Sequence, residues 1–284
     1  MLVSIKQQTV QPDFFLAIDS GSDDRTVELL NESGAQVHAI SRKEFNHGGT
    51  RQLAVDMFPA ADIVVFLTQD AIPSNDDALE KLVSQFEDES VGAAYGRQLH
   101  RPSAGLIEAH ARLFNYPVEN QVKTIADLPR LGFKTAFISN SFAGYRRSAL
   151  AAVGGFPCET IFGEDTCVAA RMILAGRKIA YCAESAVYHS HDYGILEEFR
   201  RYFDIGVLHS RESWLIGSLG RAEGEGLRFV LSEARYLAAR KPLLLPSALV
   251  RTIAKYLGYK LGVKERNLLL RMKYHFSMNK EYWR

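Results

Sequence analysis

Up to about residue 190 the chain alternates short apolar runs with amphipathic stretches. Phe14-Phe15-Leu16-Ala17-Ile18 has strand length and ends at Asp19, and Val37 to Ile40 is a second short strand. Between them, Thr26 to Ser33 has helical spacing and stops at Gly34. Helix is expected again over Gly49 to Ala60, followed by a buried strand over Asp62 to Thr68 just ahead of Asp70. Asp76 to Glu87 then reads as helix and Val91 to Gly96 as strand. The stretch from Arg101 to Arg130 is less regular and suits a helix plus an excursion. Beyond it come a strand over Ile138 to Tyr145, helices over Arg147 to Val153 and Asp165 to Ala175, and a strand over Val187 to His191. After Glu197 the pattern stays helical, with breaks at Gly217–Gly226 and Pro242–Pro246. This alternation predicts an α/β fold: a mostly parallel sheet with helices on both faces, and a C-terminal helical extension. The expected division is residues 1–210 and residues 211–284. Asp19 and Asp70 both fall at carboxyl ends of strands, where open α/β sheets place their ligands.

Composition narrows the picture. The 284 residues are 47% hydrophobic, enough for one sizeable core. The 34 basic and 33 acidic residues nearly cancel, so no nucleic-acid signature is present. Cys158, Cys167 and Cys182 show no CxxC spacing and suit a thiol-reducing compartment, the cytoplasm. No apolar run reaches the roughly 18–20 residues of a membrane-spanning helix. Lys6 and two glutamines interrupt any signal-peptide pattern at the start. Charge is unevenly placed, however. From Arg240 to Arg284 eleven Lys/Arg stand against Glu265 and Glu281, with Leu, Tyr, Phe and Trp between them. Such a basic amphipathic segment suits an anionic membrane surface, or else a solvated helical face.

Several residues carry candidate chemistry. In Ile18-Asp19-Ser20-Gly21-Ser22 the carboxylate suits the imide N–H of uracil or thymine, and Ser20 and Ser22 can donate to sugar or phosphate. The same segment also suits an Asx/ST turn before the next helix. In Thr68-Gln69-Asp70-Ala71 a strand-end carboxylate is a suitable mount for a hard divalent cation, or a helix cap. His189 and His191, two apart on a strand, share a face, and one could complete a metal site. Glu164-Asp165 opens a helix after Gly163; the pair either meets the helix dipole or supplies a general base. In Phe45-Asn46-His47-Gly48-Gly49-Thr50-Arg51, two glycines before a helix suit the approach of a phosphate, with Arg51 adding a guanidinium. Arg200-Arg201 is a second cationic pair that could close over a diphosphate or decorate a helix.

Each signal is ambiguous alone, but the order is distinctive. Asp-Ser-Gly-Ser, His-Gly-Gly-Thr-Arg, Thr-Gln-Asp-Ala, Gly-Gly-Phe, Gly-Glu-Asp and Tyr-His-Ser-His follow one another in a sequence that resembles glycosyltransferase family 2. The wording at His47–Arg51, Thr68–Ala71 and Val187–Tyr193 is similar to the bacterial rhamnosyltransferase branch. The resemblance covers about residues 3 to 210. It implies a GT-A fold, a nucleotide-sugar donor, a divalent metal (Mg2+ or Mn2+) and inversion at the anomeric carbon. By position it implies that Asp19 contacts the base and that Asp70 and His189 bind the metal. Asp165 of the Glu164-Asp165 pair would be the base, with Ser20, Ser22, His47, Gly48, Arg51, Gln69, Arg200 and Arg201 around the donor. The branch implies dTDP-L-rhamnose as donor and a lipid-linked glycan of polysaccharide biosynthesis as acceptor, at the cytoplasmic face of the cell membrane.

Two departures accompany the resemblance. Thr68 stands where the family's DxD motif has its first acid, as in the rhamnosyl branch. Leu2 to Thr9 resembles the end of the family's first helix, so roughly 20–25 residues, about a strand, a loop and most of a helix, are unrepresented and the sheet is expected to lack a central strand. Two alternatives to a glycosyltransferase remain at this level. One is a nucleotidyltransferase, which shares the fold and the nucleotide–metal site. The other is a truncated, non-catalytic homologue that binds membrane or partners through its tail.

Overall fold

The computed structural model describes residues 1–220 and 224–284. Among the described residues eight strands form two sheets: β1 (Leu16–Asp19), β2 (Gln36–Ala39), β3 (Ile63–Leu67), β4 (Ile72–Pro73), β5 (Val91–Leu99), β6 (Gln121–Lys123), β7 (Phe142–Arg146) and β8 (Lys178–Tyr188). Thirteen α-helices accompany them among the described residues. The first seven are α1 (Leu2–Lys6), α2 (Thr26–Glu32), α3 (His47–Met57), α4 (Ala78–Val83), α5 (Leu106–Asn115), α6 (Leu128–Leu131) and α7 (Arg147–Ala152). The remaining six are α8 (Glu164–Leu174), α9 (Ile195–Arg211), α10 (Ser213–Leu219), α11 (Glu225–Arg240), α12 (Leu245–Val263) and α13 (Leu270–Phe276).

The α/β class expected from the alternation holds, but the sheet is mixed rather than mostly parallel. The main sheet runs β3-β7-β5-β8-β4, with β6 also on β8. Only β5–β8 is parallel within it; β7 enters antiparallel between β3 and β5, and β4 and β6 run antiparallel to β8. Apolar runs specify burial, not direction, so this difference is invisible in the pattern. β1 and β2 pair parallel in a separate two-stranded sheet.

Helices cover both faces of the main sheet. One core contains Tyr95, Tyr145 and Tyr181 from the strands with Cys167, Val168, Met172 and Ile173 of α8. The other sets Leu82 and Phe86 against Ala94, Phe142 and Val187. The helix expected at Asp76–Glu87 is α4 continued by a 3-10 turn over Ser84–Glu87. The strand expected at Val187–His191 starts nine residues earlier, at Lys178, and stops at Tyr188, so His189 and His191 lie just beyond it.

The C-terminal helices are bound into this body. Of the expected break at Gly217–Gly226, residues 221–223 lie outside the described ones, while Gly217 ends up within α10 and Gly226 within α11. The break at Pro242–Pro246 is a 3-10 turn leading into α12. There α12 crosses α9 backbone to backbone: a Cβ on Gly258 would sit 2.2 Å from the Phe199 carbonyl oxygen, and one on Gly262 2.0 Å from that of Phe203. Buried Asp204 of α9 accepts hydrogen bonds from the Ser277 hydroxyl and the Met278 and Asn279 amides. Trp283 completes the larger core. The three cysteines are free thiols. No described helix is long and apolar enough to cross a membrane.

Candidate active site

The carboxyl ends of β3 and β8 meet because β4 ties them. After β3 the chain turns through Asp70 into β4, whose Ile72 pairs with Tyr188. That register sets Asp70 beside the residues following β8. The Asp70 carboxylate lies 3.2 Å from His189 Nε2 and 3.7 Å from His191 Nε2. One ligand atom from each of the three falls within 4.8 Å of the others, a spacing that suits a single metal ion.

The donor chemistry also fits a divalent cation. His189 is buried, and its Nδ1 lies 3.0 Å from Gln98 Oε1. Gln98 in turn donates its amide to the Ser139 hydroxyl at 2.8 Å, which fixes which end of the amide faces the imidazole. Nδ1 therefore donates to Gln98, which orients Nε2 toward Asp70, the direction a metal ligand needs. Neighbouring imidazoles hold the Asp70 carboxyl far below the ordinary range, His189 foremost. Burial, and then the charge of His189, lower His191 to about 4, leaving it a neutral ligand at physiological pH. Arg101 donates to the Asp70 carbonyl at 2.7 Å, and Arg112 to that of His189 at 2.9 Å. Thr68 contributes a neutral hydroxyl to this turn, and Gln69 is exposed.

Glu164 and Asp165 stand at the start of α8, after Gly163 in a left-handed conformation. They are adjacent but differently held. Glu164 is buried, ion-paired to Arg51 at 2.9 Å and bonded to the Asn140 side-chain amide at 2.9 Å, while Asn140 accepts from the Tyr145 hydroxyl at 2.7 Å. Asp165 accepts from the Asn140 backbone N–H at 3.2 Å and the Thr166 N–H at 2.7 Å. Burial first, and then the charge of Glu164, raise its pKa to about 6. Asn140 lies one residue before Ser141, whose carbonyl accepts from Thr68, so this acid pair and the metal cluster share one end of the sheet.

The other expected residues divide. Asn46 caps α3 by accepting from Gly49 N–H at 2.7 Å. A Cβ on Gly48 would lie 1.8 Å from the Pro157 carbonyl oxygen. Both glycines are thus explained by capping and helix packing. Arg51 holds Glu164 rather than projecting freely. His47 lies beside Glu164, Arg51 and Arg201, and burial lowers its pKa. Arg201 lies 4.2 Å over the Phe162 ring, and its charge also reaches His191. Arg200 points elsewhere, donating to the His275 carbonyl at 3.1 Å. Asp19 accepts from Gly21 N–H, Ser22 N–H and the Ser22 hydroxyl, a closed turn at the end of β1, with Ser20 inside it. Gln98, Asn140, Arg101 and Arg112 were not singled out by the sequence. None of the four carried a local signal; Gln98 follows Arg97 at the polar end of β5, beyond the strand expected to stop at Gly96.

Comparison with known proteins gives the family and the fold. The model for glycosyl transferase family 2 matches residues 1–154. The chain is 50% identical to the O-antigen chain rhamnosyltransferase RfbN of Salmonella typhimurium, over 100% of this chain and 90% of that protein. It is 49% identical to WbaN of Salmonella anatum, an O-antigen chain rhamnosyltransferase, over 99% of this chain and 89% of that protein. Among solved structures, the Pyrobaculum calidifontis mannosyltransferase PcManGT, in complex with GDP-Man and Mn2+, superposes with a TM-score of 0.60 at 18% identity, over 94% of this chain and 81% of that one. That likeness bears on the fold alone, which is the expected GT-A fold. With a family model over more than half of its length and relatives at half identity across it, the chain belongs to glycosyl transferase family 2.

Proposed function

We propose that the protein transfers L-rhamnose from dTDP-L-rhamnose to a hydroxyl of a lipid-linked O-antigen precursor, with inversion. The observation that carries this reading is the 49–50% identity, along nearly the whole chain, with two O-antigen chain rhamnosyltransferases. Asp70, His189 and His191 would hold a divalent ion, which when bound offsets charge on the departing diphosphate. Asp165 takes the proton of the attacking acceptor hydroxyl; its raised pKa keeps it close to working pH while still ionised. Glu164, locked by Arg51 and Asn140, positions Asp165 rather than reacting. Arg201 and His47 interact beside Glu164, and the space they border is the cleft in which we place the diphosphate. Asp19 remains the candidate for the base, its carboxylate at present turned onto its own loop.

We read the chain as a division of labour. Residues 1–210 carry the transfer chemistry, and residues within 240–284 dock on the anionic cytoplasmic face of the cell membrane. The support is an exposed row on α12, Leu249, Val250, Ile253, Tyr256 and Leu257, continued by Leu269 and Leu270. Exposed Lys260, Lys264, Arg266 and Arg271 lie along it.

The test is incubation of the purified chain with dTDP-L-rhamnose and a lipid-linked acceptor extract. Release of dTDP together with rhamnosylated lipid, abolished by EDTA and restored by Mg2+ or Mn2+, is the expected result. Pyrophosphate release from dTTP and rhamnose 1-phosphate, supplied in a parallel incubation, would instead indicate a nucleotidyltransferase, and no release of either dTDP or pyrophosphate would refute the reading.

A further inference from the structure

A cavity of about 320 Å3 lies between the end of β5 and helix α5, behind the Asp70–His189–His191 cluster. Its walls include Arg97, Gln98 and His100 from the end of β5, Arg112 and Tyr116 from α5 and its end, and Tyr188 from β8. Among the described residues no acidic one lines it. The Nε of Arg97 is buried with no hydrogen-bond partner, and Arg97 makes no ion pair among the described residues. Arg112 uses its Nε on the His189 carbonyl, and its guanidinium likewise has no carboxylate partner among the described residues. Two guanidinium groups facing one cavity without a counter-charge are costly unless an anion enters. Planar guanidinium forks match phosphate oxygens.

The wall is shared with the transfer site. Gln98 lines the cavity and holds His189 Nδ1, and Tyr188 directly precedes His189. We propose that this cavity is an anion subsite, separate from the donor diphosphate site, that takes a phosphate or diphosphate group carried by the acceptor. The subsite would anchor the acceptor's charged end while its hydroxyl reaches Asp165. The inference rests on the glycosyltransferase reading for the identity of the bound molecule, but the anion site itself can be tested without turnover.

The experiment is calorimetry on the full chain presaturated with Mg2+ and dTDP, titrated with farnesyl diphosphate and, separately, with inorganic pyrophosphate. Binding of either in the presence of dTDP is expected, weakened at least tenfold in Arg97→Gln and by a smaller factor in Arg97→Lys, which keeps the charge but not the fork, with dTDP affinity changed less than twofold. Tighter binding of farnesyl diphosphate than of pyrophosphate would identify a lipid-linked source; equal binding would identify a free or sugar-borne phosphate. Both outcomes support the anion subsite. Absence of binding to the dTDP-saturated protein, equal binding by Arg97→Gln, or a parallel loss of dTDP affinity would overturn it. If dTDP itself does not bind, the functional reading fails, and the same titrations without dTDP still decide the subsite.

Discussion

Glu164 and Asp165 are chemically similar neighbours with opposite surroundings. Arg51 and the Asn140 amide satisfy Glu164, whereas Asp165 has two backbone donors, loses hydration, and has the charge of Glu164 beside it. The sign of the result follows. Asp165 acts as a base only when ionised, so kcat/KM is expected to fall as pH drops through about 6. In the folded chain its proton is held more tightly than at the ordinary carboxyl value of 3.8. Its stability contribution is therefore full below that value and lost as pH rises through about 6. Asp165→Asn is thus expected to abolish transfer, leave dTDP binding intact, and melt at pH 8 no lower than wild type. Turnover near the wild-type rate, or a clear fall in Tm at pH 8, would remove Asp165 from this role. The acid pair was legible in Gly163-Glu164-Asp165, and the resemblance pointed to Asp165 as the base, but the opposite surroundings of the two acids were not legible. They depend on Asn140 and Arg51, which are distant in sequence and carry no local mark of their partner.

Secondary structure was legible where periodicity and punctuation coincide. Helices α2, α7 and α8 start and stop within a residue or so of their expected bounds, near Gly34, Gly154 and Gly176. Strand direction was not, since β7 is as apolar running antiparallel as it would be running parallel. Glycines in α12 were equally silent. Gly258 and Gly262 take on meaning only against Phe199 and Phe203 of α9, where any side chain would strike backbone oxygen. Gly262→Ala is therefore expected to destabilise the fold by about 1–3 kcal/mol, read from urea unfolding. Gly217→Ala, in a helix with nothing within 4 Å of the added carbon, is the control and should be neutral or slightly stabilising. Equal stability of the two variants would mean that the helices can separate at little cost.

At the scale of the whole molecule, the basic tail reads differently once folded. The plain charge excess overstates what faces outward, because Glu198 of α9 pairs with both Arg251 and Lys255, and buried Glu265 pairs with Lys273. What remains outward is concentrated beside the exposed row on α12 and the segment after it. Co-sedimentation with phosphatidylglycerol vesicles should therefore exceed that with phosphatidylcholine vesicles and weaken with added salt. Ile253→Ser with Leu257→Ser should reduce it at any salt concentration, with dTDP release in detergent unaffected. Equal binding to both vesicle types would argue against this surface.

The glycine contact between α9 and α12 has a consequence for reach. α9 carries Arg201 to the cleft, and α12 carries the exposed apolar row, with no side chains cushioning Gly258 and Gly262 from the carbonyls they face. A molecule resting on lipid through α12 would hold its cleft at a set height, as a depth stop holds a drill. Hydroxyls on a lipid-tethered glycan would then be chosen by their distance from the bilayer as well as by the shape of the cleft.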